Sequence, residues 1–384
     1  MKMEQVYSFV NDAQKSVLGE QVVLKEDLTN VVELGDAIEN ANLYDAYVKA
    51  LVNRIGKEIF VARAYEGGAP NVLRDDWEWG SICQKVIAEL PDATENESWE
   101  LEDGQSYDQN VFTKPKVSAK FYNNKVTFEI PLSVVDEQLK QSFLDAQSMN
   151  KFISMLYVSV ETSMTIKTDL LIMRTINNYV GETMYAEYGN NSYSASSHVK
   201  AVNLLYEYND KFSQSLTQAD CLYDLDFLKY ASYRIARYKD HLRKASTLYN
   251  IGGKVRFTPE DKLHLVLLSD FARSSDVYLQ SVTFHKELVD LPKYEVVTQW
   301  QGSGVDDDFD NASKIYVKTS GGHDVQIDGV LGVMFDGDGL GVNCYNRRTT
   351  QHRNDKAEFV NLWFKMDARY FNDQNENFVV FFAK

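Results

Sequence analysis

Few residues of this chain have the types and spacings that do chemistry. The histidines His198, His241, His264, His285, His323 and His352 form no His-x-x-x-His pair and no Glu-flanked metal motif, so surface or packing roles are expected of each. Gly337-Asp338-Gly339-Leu340-Gly341 has the look of a nucleotide loop, but such a loop needs a helix N-terminus behind it, and strand-like residues follow here. Asp336 and Asp338 stand at a calcium-like spacing, yet the expected sixth-position Gly and twelfth-position Glu do not follow, and turn chemistry explains them better. Asp306-Asp307-Asp308-Phe309-Asp310 could hold a hard cation; a solvated loop is the commoner fate of such a run. Trp77 and Trp79 have faces that stack on a sugar or a base, and the same faces pack a core or an interface. No Gly-x-Ser-x-Gly elbow is present, and Cys83, Cys221 and Cys344 carry no nucleophile signature. No catalytic, cofactor-binding or metal-binding residue is assigned, and the chain is expected not to be an enzyme.

Composition narrows the class. The 384 residues are 44% hydrophobic and 25% charged, as in ordinary soluble globular proteins, and can bury a sizeable core. The aromatic content, with 23 Tyr and 20 Phe, suits strands and large subunit contacts. Three scattered cysteines are too few for a disulfide framework or a zinc site and point to a reducing compartment. Met1-Lys2-Met3-Glu4-Gln5 lacks the layout of a signal peptide. The formal charge of −16 argues against a chain whose main work is gripping nucleic acid, since that affinity comes from Lys and Arg on phosphates. It suits plain solubility, and also a surface that faces DNA without sticking to it.

The elements that would position any site are organised around one stretch. An uninterrupted helical pattern runs from Ser148 to Val180, with Met149, Ile153, Leu156, Val160 and Met164 and then Leu170, Met173 and Ile176 on its stripe, and Gly181 as its stop. That is a rod of roughly 50 Å, and Lys151, Glu161, Lys167, Asp169 and Arg174 make it unfit to span a membrane. Before it, Ser133 and Asp136 form a capping-box pattern opening a short helix through Leu139 and Phe143. Two strands are expected around Asn123-Asn124 as a hairpin. The acidic residues of 91–109 and then Lys114, Lys116, Lys120 and Lys125 make this excursion reverse its charge. Either it neutralises itself locally, or it presents opposite charges to different neighbours through lysines such as Lys116 and Lys120.

The remainder reads as an interleaved α+β chain. Helices are expected in 1–66, with Leu43–Val61 the best piece, through Ile82, Val86 and Leu90, over Val199–Phe212 and over the basic Leu225–Leu248. Strands are expected at Leu263–Leu268, Val277–Leu279 and Tyr294–Thr298. A second hairpin, Val330–Phe335 with Leu340–Tyr345, is expected around Asp336-Gly337-Asp338-Gly339, and Phe359–Arg369 with Phe378–Phe382 as a closing strand pair.

The order of these parts resembles the major capsid protein of tailed phages, with the Hong Kong 97-type shell fold, and within it the versions of small short-tailed phages. The resemblance rests on Ile130-Pro131-Leu132-Ser133, Leu139 and Gln141-Ser142-Phe143 before a long spine helix, and on Phe359–Arg369 as the penultimate strand carrying an Asp and an Arg. It covers essentially the whole chain by order of elements. It implies an N-terminal arm and helices over 1–91, an extended E-loop hairpin over 92–130, and a peripheral domain with the spine helix over 131–195. An axial domain over 196–345 and return strands of the peripheral domain over 346–384 would follow. It further implies self-assembly as pentamers and hexamers into an icosahedral shell enclosing double-stranded DNA, which is touched non-specifically. Scaffold, portal and head-fibre or decoration proteins are the implied partners, and no membrane. The implied location is the virion, after assembly in the host bacterial cytoplasm. The Lys–Asn crosslink of the family's namesake is not carried over, because nothing marks one of the four lysines. An encapsulin-like compartment shell is the nearest alternative, and an enzyme using the acidic clusters the next.

Overall fold

The computed structural model describes residues 68–73, 83–91, 93, 110, 112, 114–135, 146–189, 193–282, 293–301 and 309–384. The N-terminal helices, the short helix through Leu139 and Phe143, Trp77, Trp79, His285 and Asp306–Asp308 lie outside them.

The longest element is helix α1 (Ala146–Tyr188), 43 residues that contain the expected rod and continue past it. Val160, Met164, Leu171, Ile172, Ile176, Tyr179, Val180 and Met184 are buried at three- and four-residue steps. Buried Thr168 and Thr183 turn their hydroxyls back onto the carbonyls of Met164 and Tyr179, so neither hydroxyl is left unpaired. Gly181 does not stop the helix. It is buried inside it, and the chain leaves the helix at Gly189, whose φ of +59° and N–H bond to the Tyr185 carbonyl make the left-handed cap.

The chain forms two compact units, Met1–Asp75 with Lys125–Ile172 and Val342–Arg369, and Asp76–Asn124 with Met173–Gly341 and Tyr370–Lys384. In the first, strands β3 (Lys125–Val135), β10 (Leu340–Asn354) and β11 (Phe359–Asn372) form a sheet in the order β10-β11-β3. The antiparallel register of β11 on β3 sets Leu362 opposite Leu132, Phe364 opposite Ile130 and Met366 opposite Phe128. On the alternate residues Lys365 meets Glu129 at 3.0 Å and the Ser133 hydroxyl bonds Asn361 at 2.6 Å. Ser133 is therefore a strand residue and not a helix cap. The alternation that begins at Val126 carries the ladder to Val135.

In the second unit, β4 (Ala201–Asn203), β5 (Leu263–Leu268), β6 (Glu295–Val297), β9 (Val330–Asp336) and β12 (Phe378–Phe382) form a sheet ordered β4-β12-β9-β5-β6. All seven residues of β9 and all five of β12 are buried, as continuous apolar runs in a central position must be. Helices α2 (Leu204–Phe212) and α3 (Leu225–Leu242) are capped by Asn203 and Asp224, which accept from the N–H groups of Tyr206 and Phe227. Leu205, Phe227, Ala231, Ile235 and Leu242 pack into one core with Leu267, Met334 and Phe381. Strands β7 (Ile315–Lys318) and β8 (Asp324–Ile327) make a separate antiparallel pair.

Several expectations are corrected. Val277–Leu279 is not a strand but part of helix α4 (Ser269–Val282), whose buried residues Phe271, Ala272 and Ser275 keep a helical step while Val277 points outward. The helix expected through Ile82, Val86 and Leu90 is instead strand β1 (Cys83–Ala88), with burial alternating residue by residue. The Val199–Phe212 pattern begins as β4 before it turns helical, and α3 ends at Leu242 rather than Leu248. A turn does occur at Asp336–Gly339, whereas Asn123-Asn124 link β2 to β3 without one, and neither closes a hairpin. Strand β2 (Val117–Tyr122) pairs with β1, while β3 pairs with β11. Likewise β9 pairs with β12 and β5, and β10 lies in the other sheet, so the closing strands β11 and β12 are not partners.

Candidate functional site

Among the described residues, three histidines take packing roles. His264 stacks on Phe335 and His323 on Tyr185, and His241 Nδ1 lies 3.0 Å from the Tyr249 hydroxyl. His198 comes nearest to a catalytic arrangement, with Ser196 Oγ 3.2 Å from its Nε2 and Glu187 3.7 Å from its Nδ1. That last distance is too long for the hydrogen bond that orients a catalytic base, and Glu187 is already paired with Lys200 at 2.5 Å. The Asp336–Gly339 turn is internally satisfied. Asp336 accepts from the Thr258 hydroxyl and from the Asp338 N–H, and Asp338 pairs with Lys262 at 2.6 Å. Burial holds the Asp336 carboxyl above its ordinary range. Among the described residues no group of three or more His, Cys, Asp and Glu could hold a metal ion. Cys83, Cys221 and Cys344 form no disulfide with one another.

The charged residues that do converge lie at the middle of the β1–β2 ribbon. The register sets Lys85 directly opposite Lys120, and both side chains point to the half-buried face. Between them sits Asp373, whose side chain is fully buried, with Lys85 Nζ 2.8 Å from Oδ2 and Lys120 Nζ 2.9 Å from Oδ1. Lys85 also reaches Glu376 at 2.7 Å and donates to the Asp338 carbonyl at 3.0 Å, and Arg256 lies 3.5 Å from the same Glu376 oxygen. Burial pushes the Asp373 carboxyl upward, but the two lysines outweigh it and leave the group below its ordinary range. Tyr122, whose ring packs on Phe371, has its phenol pushed up by burial and by the charge of Asp373. At the far end of β1, Lys254 pairs with Glu89 at 2.5 Å. Lys120 is thus engaged within its own chain. Of the two lysines expected to reach neighbours, it is the one that belongs to local neutralisation.

The other face of the ribbon is bare. Gln84, Val86 and Ala88 lie opposite Phe121, Ala119 and Val117, and all six are exposed, Phe121 by 64%. The expected acid run of 91–109 falls mostly outside the described residues.

The 43-residue helix, the three- and five-stranded sheets and the two-stranded ribbon give the fold found in phage capsids. The capsid of Staphylococcus phage Andhra is similar at a TM-score of 0.52 and 9% identity over 83% of this chain and 84% of that one. A structure of the head fiber and inner core protein gp22 of native bacteriophage P68 gives a TM-score of 0.48 at 9% identity, over 82% of this chain and 83% of that one. The capsid of Cyanophage P-SCSP1u gives 0.45 at 11%, over 80% and 84%. No curated protein matches the chain. The model of the Phi29-like phage major capsid protein family matches residues 10–382, and the chain belongs to that family. It is a shell protein of a tailed-phage virion that assembles with copies of itself, and its work is structural, not catalytic. The compartment-shell and enzyme alternatives give way to this reading. Among the described residues, no helix is long and apolar enough to cross a membrane.

Proposed function

We propose that the chain builds the icosahedral head of a small short-tailed phage, as pentamers and hexamers around double-stranded DNA, and that the β1–β2 ribbon of each subunit lies on a neighbouring copy. The ribbon and the residues between its strands act as the E-loop, α1 as the spine of the peripheral domain, and the five-stranded sheet with α2 and α3 as the body of the axial domain. Assembly takes place in the host cytoplasm with a scaffold and a portal, and head-fibre or decoration proteins bind the finished shell. The packaged DNA meets a net-acidic protein and is contacted non-specifically.

The observation that carries the reading is the exposed apolar face of the ribbon. Phe121, Val117 and Val86 are 64%, 60% and 59% exposed on one side of a two-stranded ribbon. Such a ribbon is marginal alone, and a contiguous exposed apolar face is the signature of a surface that is covered in the assembly. A second copy is the occupant a self-assembling shell supplies at every contact. Sedimentation and negative-stain microscopy of the purified protein test the reading. Capsomers or shells are expected, and a stable folded monomer at every salt concentration contradicts it.

A further inference from the structure

We propose that Lys85, Lys120, Asp373 and Glu376 form a latch that fixes the pose of the β1–β2 ribbon on its own subunit, and that the ribbon detaches when the latch is broken while the five-stranded sheet stays folded. The geometry of the latch stands by itself; its purpose, a ribbon held ready for a neighbouring copy, rests on the shell reading.

The argument starts from the register. Lys85 and Lys120 are direct cross-strand partners, and like charges in that relation destabilise a ribbon. One carboxylate resolves the conflict, because each oxygen of Asp373 takes one of the two ammonium groups, at 2.8 and 2.9 Å. Asp373 thereby offsets the repulsion between the ribbon's two lysines. The receiving loop is held rigidly. Tyr179 donates its hydroxyl to the carbonyls of Asp373 and Glu376, and the Asp373 N–H bonds the Gly339 carbonyl at 2.6 Å. The Asn375 N–H bonds Asp373 Oδ1 at 3.2 Å. On the ribbon's side the ties to the body run through charged side chains, Lys85, Lys120 and Glu89, with the Tyr122–Phe371 ring contact beside them. The sheet is held by a continuous apolar core instead. Elements attached in such different ways open separately.

Hydrogen exchange on the full-length protein, read by mass spectrometry on dissociated subunits, tests the latch. Lys85→Met keeps the apolar stem and removes the charge, and is expected to speed exchange of 83–88 and 117–122 by about tenfold or more. Exchange in β9 and β12 stays as in the parent. If the unpaired Glu376 prevents that variant from folding, Lys85→Met with Glu376→Gln makes the same comparison without a stranded carboxylate. Unchanged ribbon exchange, or an equal rise in β9 and β12, overturns the proposal. Phe121→Asp on the opposite face leaves subunit exchange unaltered whether or not it blocks assembly, so failure of the latch and failure of the shell reading are read apart.

Discussion

Gly181 lies against Val317 so closely that a Cβ on the glycine would stand 2.2 Å from the valine Cγ2. The glycine is there for this contact and not to end the helix. Gly181→Ala gains about 1 kcal/mol of helix propensity, but the overpacking costs roughly 1–3 kcal/mol. A lower unfolding midpoint is expected, restored when Val317→Ala is added. Additive effects of the two changes, measured as a double-mutant cycle, would show that the contact does not matter.

Lys116 and Lys120 should part company. Lys116 is exposed, and Lys116→Glu is expected to leave thermal unfolding of the subunit within about 0.5 kcal/mol of the parent. Lys120→Glu places a carboxylate beside buried Asp373. With Lys120 itself 39% exposed, solvent screening limits the loss to roughly 1–2 kcal/mol. Equal unfolding midpoints for the two variants would contradict the placement of Lys120.

Acid should weaken the three-stranded sheet through Asp367. Burial pushes this carboxyl up, but hydrogen bonds from Arg348, Thr127, Asn346 and Lys125 prevail and hold it far below the ordinary range. Arg348 stands at 2.8 Å and Thr127 at 2.7 Å. A depressed folded value means that the stabilisation is complete above the unfolded pKa of about 3.9 and is lost as pH falls through the folded value. Asp367→Asn is expected to cost about 2–3 kcal/mol at neutral pH and to flatten the loss of stability below about pH 4. Urea unfolding across that range checks both, and a variant with the parent's acid slope would refute the assignment.

What the sequence disclosed follows from how local each signal is. Leu263–Leu268 and the alternation of Val126, Phe128 and Ile130 were legible because a strand's own residues carry its pattern. The rod of α1 was legible for the same reason. Val277–Leu279 and Ile82–Leu90 misled because short apolar spacings fit both a strand and a helix, and packing decides between them. At Asp336–Gly339 turn chemistry gave the turn, but there and at Asn123-Asn124 the pairing was settled by β1, β11 and β12, which lie elsewhere in the chain. The latch was hidden most completely. Lys85, Lys120 and Asp373 come from three separated segments, and no spacing joins them. The one available hint was Asn372–Asn377, a polar stretch between two apolar strands, which read only as a turn.

Continuity of the rod is open to a proline test. Leu156→Pro removes a backbone donor inside α1 and clashes with the preceding turn, at a cost of about 3 kcal/mol or more. Loss of soluble, natively helical protein is expected by circular dichroism. A variant with the parent's helical signal and unfolding midpoint would contradict one unbroken helix.

The claim that the bare ribbon face meets another copy is tested most directly by sedimentation velocity of Phe121→Asp beside the parent. The substitution puts a charge on a side chain that is 64% exposed in the subunit, so subunit unfolding should be unchanged. The account predicts that the parent sediments as capsomers and shells while the variant remains as folded subunits. Shells of Phe121→Asp in the parent's yield would show that this face is not covered by a neighbour.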